Sequence, residues 1–169
     1  MYPSLPRRDS VIEVEVHGVS LDLNNTPVLL LREREGNRVL PIWVGPVEAS
    51  AITYAVRREP FERPLTIDVI KRIVEALGAR VERVIINKMK NNTYYANLVL
   101  SRDGSLISID ARPSDSVAIA VHMHAPIFVD DALMDAQAKE IAEDEQAKLD
   151  ELKERLKDTD PENFGDFRL

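Results

Sequence analysis

The order of strand-like and helix-like segments constrains this fold most strongly, because the strands come in runs and do not alternate with helices. Three strands are predicted within residues 11–44 and three more within residues 80–111. In the second run, Asn91-Asn92 and Asp103-Gly104 are typical of tight hairpin turns. Runs of strands favour an α+β fold over a doubly wound one. We therefore predict a mixed, largely antiparallel sheet flanked by helices.

Two helices are predicted between these runs of strands. The first extends from Pro46 to Arg58, since proline suits the first position of a helix. The second has Thr66 as its N-cap and ends before Gly78. Its apolar side chains recur at helical spacing and are expected to be buried. They are Ile67, Ile70, Ile73, Val74 and Leu77.

The C-terminal segment is predicted to be one long charged helix. A third helix at residues 115–123 and a short strand at 127–129 come first, and the charged pattern then continues over residues 130–157. A seam of Leu149, Leu152 and Leu156 is suited to packing on the body or on a second subunit. We place the domain boundary near residue 135, giving a globular domain of residues 1–135 and a charged helix and tail of residues 136–169.

The charge of the chain argues against tight, non-specific binding of nucleic acid. The formal net charge is −7, and residues 139–169 carry eleven acidic and six basic side chains. Nucleic-acid-binding domains are usually basic. Any contact of this chain with nucleic acid is therefore expected to use a local basic patch.

Cysteine is absent from the chain, which excludes disulfides, thiolate metal sites and a thiol nucleophile. No apolar run approaches the roughly 20 residues that span a bilayer. The first residues include two arginines but no apolar stretch of the secretory type. We expect a cytoplasmic protein without a membrane anchor, and no organic cofactor.

The densest group of polar residues lies in the segment Asp110-Ala111-Arg112-Pro113-Ser114-Asp115. In a functional interpretation, Asp110 and Asp115 hold Mg²⁺ or Mn²⁺ through oxygen, while Arg112 and Ser114 bind phosphate. In a structural interpretation, Ser114 caps a helix, Asp115 complements the helix dipole and Arg112 pairs with Asp110. Glu48, at the start of the first helix, admits the same two interpretations, and spacing alone leaves both open.

We expect most of the other polar and aromatic side chains to have structural roles. Two groups of arginines either meet phosphates or are solvated charges or inter-subunit pairs: Arg32, Arg34 and Arg38 at one hairpin, and Arg57, Arg58 and Arg63 around the loop between the two helices. Trp43 is expected in the core, with base stacking as its alternative. Tyr94 and Tyr95 are candidates for stacking on bases. The histidines, His17, His122 and His124, lack metal-ligand spacing. His122 and His124 are two apart on a predicted helix and should point in different directions.

Several segments, in order, resemble the bifunctional nuclease family over about residues 11–135. They are Asn25-Thr26-Pro27-Val28, Val39-Leu40-Pro41-Ile42-Trp43-Val44-Gly45-Pro46, Arg63-Pro64-Leu65-Thr66, Glu75-Ala76-Leu77-Gly78-Ala79, Asp110-Ala111-Arg112-Pro113-Ser114-Asp115-Ser116-Val117-Ala118-Ile119-Ala120 and Ala125-Pro126-Ile127-Phe128-Val129. Each motif is weak alone, but the ordered set is specific.

The resemblance implies phosphodiesterase activity on DNA and RNA and a homodimer or larger homo-oligomer. It places the site at Glu48, Asp110, Arg112, Ser114 and Asp115. Two departures from the family pattern stand out. Many relatives have a histidine where this chain has Ile67, and the charged C-terminal helix does not match the UvrB/UvrC-like motif that some relatives append.

We therefore expect a nuclease that hydrolyses phosphodiester bonds in DNA, RNA or both with assistance from a metal ion. Catalysis is assigned to Asp110, Arg112, Asp115 and Glu48. The alternatives are a non-catalytic oligomeric module for regulation or binding, and a binder of phosphate-bearing ligands that uses the helix N-terminus at Ser114 as its anion site.

Overall fold

The two runs of strands form one sheet in the computed structural model, which describes residues 10–58 and 60–140. The described residues contain eight strands. They are β1 (Val11–Leu21), β2 (Pro27–Glu33), β3 (Arg38–Trp43), β4 (Arg80–Lys90), β5 (Thr93–Arg102), β6 (Ser105–Ala111), β7 (Ile127–Asp130) and β8 (Lys139–Glu140). Four helices accompany them. They are α1 (Pro46–Arg57), α2 (Thr66–Ala76), α3 (Pro113–Met123) and α4 (Asp131–Gln137).

Strand β7 joins the two halves of the sheet. The strand order is β6-β5-β4-β7-β1-β2-β3-β8, so β7 lies between β4 and β1. Ile127 of β7 lies opposite Val84 of β4 in a parallel pair and opposite Val14 of β1 in an antiparallel pair. Every other pairing is antiparallel. The predicted α+β class and the mixed, largely antiparallel sheet are therefore confirmed.

The hairpin turns of the second run have the backbone that their residues predict. Asn91 and Asn92 have φ of 50° and 57°, and Asp103 and Gly104 have φ of 49° and 76°. Two-residue hairpins favour positive φ at both central positions because this twist matches that of the flanking strands. Asparagine, aspartate and glycine tolerate this region best, and the two predicted hairpins are confirmed.

Helices α1 and α3 lie side by side and run in the same direction. Their first turns meet through Glu48 and Arg112, and their ends meet through Arg58 and His124. Small residues line the buried side of each helix and allow close packing. They include Ala49 and Ala55 of α1 and Ala118 and Ala120 of α3. This parallel helix pair packs against the sheet through β2, β4 and β5.

Helix α2 differs from its prediction at both its start and its apolar face. Leu65 is the N-cap, and the Asp68 carboxylate accepts a hydrogen bond from the Leu65 N–H at 2.8 Å. Thr66 is therefore the first helical residue and not the cap. Ile73 and Leu77 are exposed, because α2 lies against α3 and β4 and leaves one apolar side uncovered. The chain turns away at Gly78, with φ of 68°, as predicted.

Two further predictions are corrected by the structure. Trp43 is exposed because it follows the inward-facing Ile42 in a strand, and its indole N–H donates to Asp22 at 3.0 Å. The predicted helix from residue 130 ends at Gln137, after which β8 pairs with β3. Its remainder, residues 141–157, lies outside the described residues. The boundary near residue 135 stays a prediction.

None of the helices within residues 10–58 and 60–140 is long and apolar enough to cross a membrane.

Replacing two isoleucines on different helices tests the packing. Ile52 of α1 is fully buried, whereas Ile73 of α2 is 53% exposed. We expect Ile52→Ala to lower the free energy of unfolding by about 2–5 kcal/mol, and Ile73→Ala by less than about 1 kcal/mol. Urea denaturation of both variants measures the difference. Equal losses would contradict the described position of α2.

The ion pairs of Arg38 predict a pH dependence. Arg38 donates to the Glu33 carboxylate at 2.8 and 2.9 Å and to Asp135 of α4 at 2.5 Å. The hydrogen bonds from Arg38 lower the pKa of Glu33 from its ordinary value of 4.5. The ionised carboxylate therefore stabilises the fold above about pH 4.5, and this stabilisation is lost as the pH falls through the lowered folded-state pKa.

We expect Glu33→Gln to lower the free energy of unfolding at pH 7 by up to about 1 kcal/mol. The deficit relative to the unchanged chain should shrink as the pH approaches 3. Glu35→Gln, which changes the same charge in the exposed β2–β3 turn, serves as the control. A deficit for Glu33→Gln that stays constant with pH would contradict the ion-pair assignment.

Candidate functional site

Glu48, Arg112 and Asp115 form a carboxylate–arginine cluster where α1 and α3 begin. The Arg112 Nε and Nη2 donate to the two Asp115 carboxylate oxygens at 2.7 and 3.0 Å. The Arg112 Nη1 donates to the Glu48 Oε1 at 2.7 Å. Glu48 belongs to α1, whereas Arg112 caps α3 and Asp115 lies in its first turn. One guanidinium thus joins the starts of both helices.

Local sequence places these side chains. Pro46 and Pro113 each lie in the first turn of a helix, where a proline ring fits and its missing N–H leaves no bond unmade. Gly45 precedes α1, and a Cβ at that position would collide with the Glu48 Oε2. The glycine therefore leaves room for the Glu48 carboxylate to reach Arg112.

The two carboxylates of the cluster stabilise the positive charge of the Arg112 guanidinium. The hydrogen bonds that Arg112 donates to Asp115, the negative charge of Asp115 and the hydrogen bond that Arg112 donates to Glu48 raise the pKa of the Arg112 guanidinium above its ordinary value. Two carboxylates and one guanidinium leave a formal charge of −1. The Arg112 side chain is 64% exposed, so solvent still reaches it. A phosphate can therefore contact Arg112 from solvent, and it would have to replace the Asp115 carboxylate in order to bind the Nε and Nη2 donors that Asp115 now accepts from.

Ser114 and Asp110 do not join this cluster. Arg112, and not Ser114, is the N-cap of α3, and Ser114 is buried as the second helical residue. Asp110 lies opposite Asn97 in the β5–β6 pair, on the face of the sheet away from Ala96 and Leu98 of the core. The predicted cap at Ser114 and the predicted pairing of Arg112 with Asp110 are therefore wrong.

The carboxylates of Glu48 and Asp115 are poorly arranged to bind a metal ion. Within the described parts of the chain, no three His, Cys, Asp or Glu side chains are grouped closely enough to hold a metal ion. The Glu48 Oε1 and both Asp115 oxygens face the Arg112 guanidinium. A cation bound to those oxygens would have to take the place of Arg112. Binding of Mg²⁺ or Mn²⁺ stays a prediction.

Other candidate residues contact their own chain. Arg34 pairs with Glu13, and Arg38 pairs with Glu33 and Asp135. The Tyr94 hydroxyl is directed at the Pro41 carbonyl at 3.5 Å, and burial raises the pKa of Tyr94. The Lys88 ammonium lies 4.7 Å from the centre of the Tyr95 ring. The ion pairs of Arg34 and Arg38 agree with the structural interpretation of these arginines. The Lys88 ammonium covers one face of the Tyr95 ring, a face on which a base would otherwise stack.

A cavity lies at the opposite end of α1 and α3, and of its polar residues only Arg58 was considered as a phosphate contact from the sequence. This helix-end cavity has a volume of about 250 Å³. Its lining comprises Tyr54, Arg58, Pro60, Phe61, Leu65, Ile67, Asp68, Lys71, His122 and His124. Ile67, the predicted departure from the family pattern, therefore lies on the cavity wall.

His122 and His124 line the same cavity, contrary to prediction. His124 is not helical; it ends α3 with φ of 59°, which redirects its side chain. Pro126, two residues later, is the signal in the sequence, since a proline disfavours helix in the preceding residue and helices end shortly before one. The predicted divergence of the two rings assumed a helix that continues through His124.

Comparison with known proteins places these features in a family context. Residues 29–142 match the family described as the bifunctional nuclease domain. An uncharacterized protein of Mycobacterium tuberculosis is 39% identical over 163 residues, which cover 90% of this chain and 97% of that protein. The matched region includes both helix starts of the carboxylate–arginine cluster and the whole lining of the helix-end cavity.

Plant proteins match over a shorter region. Bifunctional nuclease 2 of rice is 35% identical over 107 residues, and bifunctional nuclease 1 of Arabidopsis thaliana is 33% identical over 107 residues. Each alignment covers 61% of this chain but only 33% of the plant protein. The similarity to the plant proteins is therefore confined to one part of their length.

The contacts of Arg112 predict how its side chain exchanges protons with water. Two donors bind Asp115 and one binds Glu48, so Asp115→Asn should accelerate exchange of the Arg112 Nε–H more than Glu48→Gln does. Nitrogen-resolved NMR of the guanidinium signal measures this. Equal exchange rates in both variants would contradict the described geometry.

Proposed function

Because this chain belongs to the bifunctional nuclease domain family, we propose that it hydrolyses phosphodiester bonds in DNA, RNA or both. The observation that carries this proposal is the family match over residues 29–142. The plant relatives are named bifunctional nucleases, and the proposal extends that activity to this chain. Nucleic acid is the proposed partner, and the cytoplasm is the proposed location.

The carboxylate–arginine cluster supplies the proposed catalytic groups. A phosphodiester oxygen displaces the Asp115 carboxylate from the Arg112 guanidinium, whose planar fork suits phosphate as well as carboxylate. Arg112 then balances the negative charge that increases on the phosphoryl oxygens during attack. Glu48 keeps its bond to the Arg112 Nη1 and holds the guanidinium in place.

The freed Asp115 carboxylate is the proposed general base. It accepts a proton from a water molecule while the water oxygen bonds to phosphorus and the bond from phosphorus to the leaving oxygen breaks. Solvent protonates the leaving oxygen. Asp115 is suited to this exchange because its side chain is 46% exposed, whereas that of Glu48 is 20% exposed.

Neither a metal ion nor Asp110 has a part in the proposed mechanism. The mechanism has no step through a metal ion, since the carboxylate oxygens that converge here already bind Arg112. Assays with Mg²⁺, with Mn²⁺ and with EDTA test the predicted metal dependence. Asp110 projects from the other face of the sheet, so it is proposed to contact neither the reacting phosphate nor Asp115.

A non-catalytic binding module is the second candidate function. The observation in its favour is that the carboxylates occupy the Nε, Nη1 and Nη2 atoms of Arg112, a stable arrangement for a structural ion pair. In both candidates we propose a homodimer or larger homo-oligomer, which light scattering coupled to gel filtration tests. Binding of nucleic acid without turnover would favour this second candidate.

Single carboxylate replacements test the nuclease proposal. We expect Asp115→Asn to reduce cleavage of labelled single-stranded and double-stranded DNA and RNA by at least about 100-fold, since general-base catalysis contributes about 10²–10⁴-fold. Asp103→Asn removes the same charge from an exposed turn and should leave the rate unchanged. Asp110→Asn should resemble this control.

All variants are purified identically, because contaminating nucleases cleave the same substrates. Cleavage that is equal in the unchanged chain and in Asp115→Asn would remove Asp115 from the mechanism. Loss of cleavage in Asp110→Asn alone would move the reaction to the other face of the sheet. Absence of cleavage by any preparation would favour the binding module.

A further inference from the structure

The helix-end cavity is a second polar site, far from the carboxylate–arginine cluster. It lies where α1 and α3 end, whereas the cluster lies where they begin. Helix α3 has 11 residues, so a rise of about 1.5 Å per residue separates the two sites by about 16 Å. The cavity residues have no part in the proposed cleavage mechanism and require a separate explanation.

The cationic side chains of the cavity outnumber its carboxylates. Arg58 and Lys71 line it together with Asp68. The Asp68 Oδ2 accepts from the Leu65 N–H at 2.8 Å, and its Oδ1 lies 3.0 Å from the His122 Nε2, a contact that is an ion pair only when His122 is protonated. Among the described residues, none forms a hydrogen bond or an ion pair with the Lys71 ammonium. With both histidines neutral, the charged residues of the lining carry a formal net charge of +1.

The hydrogen bond between Arg58 and His124 leaves the second ring nitrogen of His124 available as a donor. The Arg58 Nη2 lies 2.9 Å from the His124 Nδ1. A guanidinium has no acceptor, so the His124 Nδ1 must accept this bond and the ring proton must lie on Nε2. His124 thus has an N–H donor that this bond does not use. Arginine, lysine and histidine donors are the groups that bind phosphate oxygens in proteins.

The backbone at the cavity is unusual for the residues that form it. Arg58 ends α1 with φ of 58°, and His124 ends α3 with φ of 59°. Glycine is the usual residue in this conformation at a helix end. Here both positions carry long polar side chains that line the same cavity. Residues held in sparsely populated backbone regions tend to cluster at ligand sites.

Aromatic rings form another wall of the cavity. Tyr54 and Phe61 lie edge to face with ring centres 5.0 Å apart, and Phe61 is 44% exposed. An edge-to-face pair leaves at least one ring with both faces uncovered by the other. Nucleic-acid bases stack on such faces. Cationic donors and an exposed aromatic ring therefore line the same small cavity.

We propose that the helix-end cavity binds a nucleotide, with its phosphate at Arg58, Lys71 and His124 and its base on the ring of Phe61. Two sources offer this chemistry: a free nucleoside monophosphate and the 5′-phosphorylated end of a strand. The inference does not rest on the nuclease proposal, because binding of a monophosphate requires no cleavage.

Histidine NMR signals test this proposal in the full chain. The three histidines give three separate ring Hε1 signals, which replacement of each histidine assigns. On addition of adenosine 5′-monophosphate at constant pH, the His122 and His124 signals should shift until saturation. The His17 signal should stay in place, since His17 is fully buried in β1 and does not line the cavity. Adenosine, which lacks the phosphate, should bind at least about ten-fold more weakly, because it loses the charged hydrogen bonds to the cavity donors.

Adjacent residues of α2 offer a matched pair of variants. Lys71→Gln removes a cation from the cavity, whereas Arg72→Gln removes one from an exposed position outside its lining. We expect Lys71→Gln to weaken binding of the monophosphate about ten-fold, the effect of one lost charged hydrogen bond, and Arg72→Gln to leave it unchanged. Thermal melting confirms that both variants are folded.

Two results would overturn the proposal. One is the absence of a saturable shift of the His122 and His124 signals; the other is an equal loss of affinity in Lys71→Gln and Arg72→Gln. If binding is found, a 5′-phosphorylated dinucleotide identifies the source of the ligand. Binding at least as tight as that of the monophosphate identifies a strand end, and weaker binding identifies the free nucleotide.

Discussion

The parallel packing of α1 and α3 determines where the candidate functional groups of this protein lie. Both helices begin at one end, where Arg112 joins Glu48 and Asp115, and both finish at the other, where Arg58 meets His124. Each end thus combines side chains that are far apart in the sequence. A helix pair of this length holds the two polar sites about 16 Å apart. The helix pair packs on the sheet, whose two halves are joined by β7.

The local parts of this fold follow from local chemistry. Asn91-Asn92 and Asp103-Gly104 predict hairpins because few other residues tolerate positive φ. The proline at the start of α1 and the glycine after α2 similarly mark helix ends. The insertion of β7 between β4 and β1 depends on pairing across long stretches of chain, for which no turn sequence gives a signal. The position of α2 also depends on its neighbours, so Ile73 and Leu77 were wrongly predicted to be buried.

Closeness in sequence was a poor guide to closeness in the site. Asp110 and Asp115 are five residues apart, yet the change from strand to helix at Arg112 leaves Asp110 on another face of the sheet. His122 and His124 show the reverse case, since the turn of the backbone at His124 brings two rings to one cavity. The family motifs suggested Glu48, Arg112 and Asp115 as candidate site residues, and their role in a site stays a proposal. Predicting that Arg112 pairs with both carboxylates required the packing of α1 against α3.

The central claim is that Arg112 exchanges a carboxylate for a phosphate during cleavage, and Arg112→Lys tests it most directly. Lysine keeps the positive charge but lacks the planar fork that binds two oxygens at once. We predict that cleavage of a labelled oligonucleotide falls by at least about ten-fold, the equivalent of 1.4 kcal/mol in transition-state stabilisation, while thermal stability is retained. An unchanged cleavage rate in a folded Arg112→Lys protein would contradict this role of Arg112.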